Sequence, residues 1–125
     1  MVPDSLLFLF QEQAAAGAML SLNVERTTVV DAPIFLRVLT ALVNGGTLKA
    51  GDTALSYRLG TATLRLKGSA FELDPKEWGP TNAASLMKFM AELGDRLSKP
   101  VVLGTPEALR YNPLLRGFRS ATKPR

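Results

Sequence analysis

Three short runs in which apolar and polar residues alternate lie between Ala54 and Asp74, and each is separated from the next by two residues beginning with glycine. In the first run Leu55, Tyr57 and Leu59 alternate with Ser56 and Arg58. In the second Ala62, Leu64 and Leu66 alternate with Thr63 and Arg65, and Phe71 and Leu73 continue the pattern. A period of two marks a strand with one covered face. Gly60-Thr61 and Gly68-Ser69 put glycine at the first central position, where a type II′ hairpin turn needs a positive φ. With both turns in place Leu59 faces Ala62, Tyr57 faces Leu64, Leu55 faces Leu66, Leu66 faces Phe71 and Leu64 faces Leu73, all on one side. On the other side Arg65 lies between Ser56 and Glu72, a cross-strand ion pair, and Thr63 faces Arg58 and Asp74. A slip of one residue would turn every apolar side chain outward, so pattern and turn chemistry together set the register. They predict a three-stranded antiparallel meander over about residues 54–74.

Two helices flank the meander. Asp31 suits an N-cap and Pro33 a first turn, and Asn44-Gly45-Gly46 stops the chain, which predicts a helix over about 32–43. Its apolar residues Ile34, Phe35, Leu36, Val38, Leu39, Leu42 and Val43 cover most of the circumference, so burial on more than one side is expected. The second helix, over about 82–98, has the stripe Ala83, Leu86, Phe89, Met90, Leu93 and Leu97, with Lys88, Glu92 and Arg96 on the opposite side. Gly94 interrupts it at about 1 kcal/mol relative to alanine, which points to close packing against another element. Val101 to Leu103 reads as a short buried strand, and Gly104-Thr105-Pro106-Glu107 as a turn into one helical turn capped by Thr105. Met19 to Arg26 reads as a strand. Before it, Asp4 to Ala16 fits a helix ended by Gly17, and Leu6 to Phe10 fits a buried strand equally well. The expected fold is α+β, an antiparallel sheet built around the meander with the two main helices largely on one face. With 125 residues, 46% of them apolar, one domain over 1–119 is expected, followed by a basic flexible tail at 120–125.

The chain has no His and no Cys. Disulfides, thiolate nucleophiles and Cys-ligated metals are excluded, as are the usual neutral-pH general base and the commonest metal ligand. No catalytic, cofactor-binding or metal-binding set is assigned. Glu72, Asp74 and Glu77 are the densest carboxylate group, but the register gives Glu72 a partner in Arg65 and leaves that sheet face solvated. Gly45-Gly46 and Gly51 precede no helix and so do not form a phosphate cradle. No apolar run approaches the roughly 20 residues of a membrane span, and no Lys or Arg precedes Arg26 as a secretory leader would require. A cytoplasmic location is the expectation.

Charge is asymmetric. Arg110, Arg116, Arg119, Lys123 and Arg125 give the last sixteen residues five positive charges and no negative one, while the rest of the chain is nearly neutral. The stretch Arg110 to Arg119 interleaves these cations with Tyr111 and Phe118, and Leu114, Leu115 and Phe118 are expected to pack back on the domain. The candidate partner-binding residues are therefore Trp78, Arg110, Tyr111, Arg116 and Arg119, since Trp and Arg dominate contact hot spots. The leading expectation is a non-enzymatic protein-binding module of adaptor, inhibitor or immunity type, whose partner offers an acidic surface. The alternative is a nucleic-acid-binding protein using the basic C-terminal segment. Pairing of a meander edge in a homodimer is a further option. The segment Lys99-Pro100-Val101-Val102-Leu103 with Thr105-Pro106-Glu107 resembles small bacterial stand-alone domains, some of which neutralise toxins as immunity proteins. The likeness spans about 20 residues built on common helix-stop and strand chemistry, and it assigns a role to no residue.

Overall fold

The structure, a computed structural model, describes residues 4–25, 31–51, 55–67, 70–104 and 109–120. In chain order its elements are α1 (Asp4–Ala16), β1 (Leu20–Val24), α2 (Ala32–Asn44), β2 (Lys49–Ala50), β3 (Ser56–Leu59), β4 (Ala62–Lys67), β5 (Ala70–Leu73), a 3-10 turn (Pro75–Glu77), α3 (Pro80–Leu97), β6 (Val101–Leu103), β7 (Leu109–Asn112) and β8 (Gly117–Ser120). The fold is α+β, with one antiparallel sheet of eight strands in the order β2-β3-β4-β5-β1-β6-β7-β8. β1 lies at the centre and joins two halves of the sheet. It runs antiparallel to both β5 and β6, so those two strands are parallel to each other and their connection must cross over; α3 makes that crossover.

The amino-terminal ambiguity resolves in favour of a helix. Leu6 and Phe10, one turn apart, are buried, and Gly17 ends α1 at φ +69°, a left-handed conformation favourable only to glycine. Between β3 and β4, Leu59 faces Ala62 and Tyr57 faces Leu64; between β4 and β5, Leu66 faces Phe71 and Arg65 faces Glu72. Gly60 turns the first hairpin at φ +61°. Gly68-Ser69 lies outside the described residues, as do Thr105 to Glu107, where a capped helical turn is expected. Leu55 sits just ahead of β3 and is exposed rather than in the core.

Alternation gives the sheet two unlike faces. One carries Leu20, Leu22, Val24, Leu59, Ala62, Leu64, Leu66, Phe71, Leu73, Val101, Leu103, Leu109 and Tyr111, all buried. Against it α3 lays Ala83, Leu86, Phe89, Met90 and Leu93, none of them more than 0% exposed. Each such side chain contributes roughly 1.5–3 kcal/mol by leaving water. Phe71 is the junction, with ring centroids 5.9 Å from Phe35 of α2, 6.3 Å from Tyr57 of β3 and 5.6 Å from Phe89 of α3. α2 buries only Phe35, Leu39 and Leu42, and Ile34 and Leu36 remain about half exposed. The wide apolar surface of α2 is thus covered on one side, not on two.

Two local expectations need correction. Asp31 precedes α2 but its side chain does not cap it; φ −84° and ψ −8° are helical values, unlike the extended backbone an N-cap uses. Its carboxylate binds Lys99 Nζ at 3.2 Å instead, tying the start of α2 to the end of α3. Glu72 pairs with its diagonal neighbour Lys67 at 3.1 Å, not with Arg65 directly opposite. A diagonal neighbour is within reach of a side chain as long as lysine. Asn82, in the first turn of α3, is buried and pins the β3–β4 hairpin: it accepts from Thr61 N–H and donates to Thr61 Oγ1 and the Glu77 carbonyl. Among the described residues no helix is long and apolar enough to cross a membrane.

Candidate interaction surface

No described helix packs on the second face of the sheet, and the pairing registers give its layout. Lys49, Arg58 and Thr63 form one row across β2 to β4. Ser56, Arg65, Glu72 and Ser21 form the next, and Lys67, Ala70, Asn23, Val102, Arg110 and Arg119 form a third across β4 to β8. Cations occupy both ends of this face, and its middle mixes the charged Arg65, Lys67 and Glu72 with the uncharged Ser21, Asn23, Ala70 and Val102. The described residues of these rows include no aromatic ring on which a base could stack.

The three carboxylates Glu72, Asp74 and Glu77 do come together. With Met19, Thr63 and Arg65 they line a depression of about 90 Å³. Each has a structural task there: Glu72 binds Lys67, Asp74 accepts the Lys76 N–H at 3.1 Å, and Glu77 accepts the Thr63 N–H at 3.0 Å. The depression is smaller than the few hundred Å³ of an ordinary ligand pocket.

The basic C-terminal segment is a hairpin. β7 pairs with β6 and β8 with β7, so Arg110 faces Arg119 and Tyr111 faces Phe118. Tyr111, 3% exposed, points into the core, and its ring packs on Phe118 at 5.0 Å. Its hydroxyl donates to Asp95 Oδ1 of α3 at 2.6 Å. Below the ring lies Gly94, where a Cβ atom would stand 2.8 Å from Tyr111 Cδ2. The glycine in α3 is therefore explained by the close approach of β7. On the open face Arg110 makes a two-pronged ion pair with Glu25, whose Oε1 accepts from Nη2 at 2.6 Å and whose Oε2 accepts from Nη1 at 2.5 Å. Planar guanidinium and carboxylate groups match in this geometry.

Between the strands, Pro113 to Arg116 form a four-residue tip. The Leu114 N–H donates to Asn112 Oδ1 at 2.9 Å, and Arg116 takes the left-handed conformation at φ +49°. Leu114 is 91% and Leu115 70% exposed. These leucines do not pack back on the domain as expected; the hairpin is held by its ladders and by Tyr111 and Phe118. Leu115 and Phe118 line a depression of about 250 Å³ together with Arg110, Asn112, Gly117 and Arg119.

Of the five expected contact residues, Arg110, Arg116 and Arg119 thus share one end of the molecule, whereas Trp78 and Tyr111 belong to the interior. Trp78 is 3% exposed and stacks on Phe10 of α1 at 6.0 Å, with its indole N–H unpaired. Neither ring offers an exposed anchor. The exposed apolar side chains at this end are Leu114 and Leu115 instead, and the signal was present in the sequence: two adjacent leucines in a turn are unusual where Gly, Asn, Asp and Ser prevail. Of the expected flexible tail at 120–125, Ser120 instead closes β8 opposite Leu109, and 121–125 lie outside the described residues.

Burial first, then the hydrogen bond and the negative charge of Asp95, raise the pKa of Tyr111 above its ordinary 10.0, with Arg116 opposing. A raised folded pKa means that the neutral phenol is favoured by folding. Its contribution is complete below the ordinary value and is lost as pH rises through the folded one. In urea unfolding from about pH 8 to about pH 11, the parent is expected to lose stability above about pH 10. Tyr111→Phe, lower by about 1 kcal/mol at neutral pH, should show a shallower alkaline decline; an identical decline would remove Tyr111 as its source.

No protein-family model, curated protein or solved structure matches the chain.

Proposed function

We propose that the chain is a non-enzymatic protein-binding module whose contact surface is the β7–β8 hairpin and whose partner is acidic. The observation that carries this reading is the tip: two adjacent, strongly exposed leucines on a hairpin fixed at both strands, with Arg116 and Arg119 beside them. Neither arginine has an ion-pair partner among the described residues. Exposed apolar side chains rimmed by charge are characteristic of contact surfaces. The nucleic-acid reading draws less support, because Tyr111 is buried and Arg110 is engaged by Glu25.

The test places a photoreactive residue at the tip, as Leu115→benzoylphenylalanine in the full chain, and irradiates it in cells of its source. A protein adduct that survives nuclease is expected, and its yield should fall about tenfold with Arg119→Glu, the equivalent of roughly 1.4 kcal/mol. A nucleic-acid adduct, no adduct, or an adduct indifferent to Arg119→Glu would overturn the reading.

A further inference from the structure

The sheet has two edges, and they are unlike. β2 is two residues long and carries Lys49, the short and charged form by which sheets discourage pairing. β8 is four residues long, is paired with β7 along its whole length, contains neither proline nor lysine, and has no neighbour on its outer side among the described strands. We propose that β8 is a docking edge at which an extended segment of the partner, alternating acidic and apolar residues, adds as a ninth strand. This rests on the reading of the hairpin as a protein-contact surface, and it names the partner's conformation and chemistry.

The chemistry of the occupant follows from the two faces. Side chains of an added strand alternate between them. On the open face they come beside Arg119, which stands opposite Arg110, a like-charged neighbour whose guanidinium is already held by Glu25. Glu25 already answers Arg110, so a carboxylate on the added strand has Arg119 as its partner, and opposite charges on neighbouring strands attract. On the core face the added side chains meet Phe118, which is half-buried against Tyr111 and takes an apolar neighbour. Main-chain pairing supplies the contact, and this alternation supplies its selectivity.

A second copy of the chain is the poorer occupant. A two-fold axis through the edge keeps the open faces on the same side, so paired residues must share a face. Each permitted register then sets the two Arg119 side chains directly opposite each other or one pair apart. Both chains also bring a net charge of +4.

The probe is a fluorescein-labelled eight-residue peptide of alternating valine and glutamate, compared with the same peptide carrying lysine for glutamate. The glutamate peptide should bind at least about tenfold more tightly, and Arg119→Glu should reverse the preference. Because Arg119 is exposed, the variant is expected to keep the parent circular dichroism spectrum. In hydrogen exchange the amides within Gly117 to Ser120 that point away from β7 should gain protection on binding. Methylating the backbone nitrogens of either the valines or the glutamates should abolish binding for one of the two sets only, since alternate amides point to opposite sides of a strand. Equal binding of both peptides, no binding, unchanged exchange at 117–120, or a concentration-dependent dimer in sedimentation would overturn strand addition. A nuclease-resistant adduct at position 115 without protection at 117–120 would leave the hairpin as the contact surface and remove only the paired edge.

Discussion

Phe71→Ala is expected to lower the unfolding free energy by about 3–5 kcal/mol, the range for truncating a fully buried phenylalanine. Phe71 is 1% exposed, and its ring meets one aromatic side chain from α2, one from β3 and one from α3. Removing it opens a cavity where both helices join the sheet, and three ring pairs are lost together, each worth about 0.5–1.5 kcal/mol beyond its area. Against a total stability of about 5–15 kcal/mol for a domain of this kind, that loss is a large fraction. The measurement is urea unfolding followed by Trp78 fluorescence and by far-ultraviolet circular dichroism, whose transitions should coincide for a two-state domain. Arg65→Ala, on the open face of the neighbouring strand, serves as the control and should change stability by no more than about 0.5 kcal/mol. A loss below about 1 kcal/mol at Phe71 would mean that the core is not centred on this ring.

The same cluster shows what could be read from sequence and what could not. Alternation in Tyr57, Leu64 and Leu66 was legible because each has polar neighbours on both sides, Phe71 continues it before Glu72, and each run is bounded by turn chemistry. The strands β7 and β8 were not, because four residues allow only two alternations and three arginines dominate the segment. Their strand character depends on pairing, β8 with β7 and β7 with β6, and on β6 joining β1 from the far end of the chain, rather than on a local preference. The position of Trp78 was equally non-local. It is enclosed because Phe10 stacks on it, and α1 was itself ambiguous in the sequence. Asp31 fails differently: its residue type favours capping, but the backbone at that position is helical and Lys99, 68 residues away, takes its carboxylate. For the proposed contact surface, charge alone located Arg110, Arg116 and Arg119 at one end. The fold was needed to turn Leu114 and Leu115 outward and Tyr111 inward.

Gly94→Val is expected to cost about 3 kcal/mol, near the upper end for overpacking a close-packed interior. In most helices replacing glycine gains stability, about 1 kcal/mol for alanine. Here a Cβ atom would lie 2.8 Å from Tyr111 Cδ2, closer than such contacts allow, and a tight 3.1 Å from both Tyr111 Cε2 and the Lys99 carbonyl oxygen. The ring has little freedom to retreat. Its hydroxyl is bonded to Asp95 on the same helix, and Phe118 packs against it. Gly94→Ala meets the same obstacle with a smaller side chain, so its propensity gain and its steric cost of about 1–3 kcal/mol nearly cancel or leave a modest loss. A double-mutant cycle separates the two effects: once Tyr111→Leu has removed the ring, Gly94→Ala should become neutral or stabilising. Unchanged urea unfolding in Gly94→Val would show that the ring gives way freely. If instead it holds, the strain falls on β7, and the hairpin carrying Leu114, Leu115 and Arg119 shifts with it. The folded fraction of Gly94→Val should then lose the photoadduct at position 115, although the substitution touches no residue of the tip.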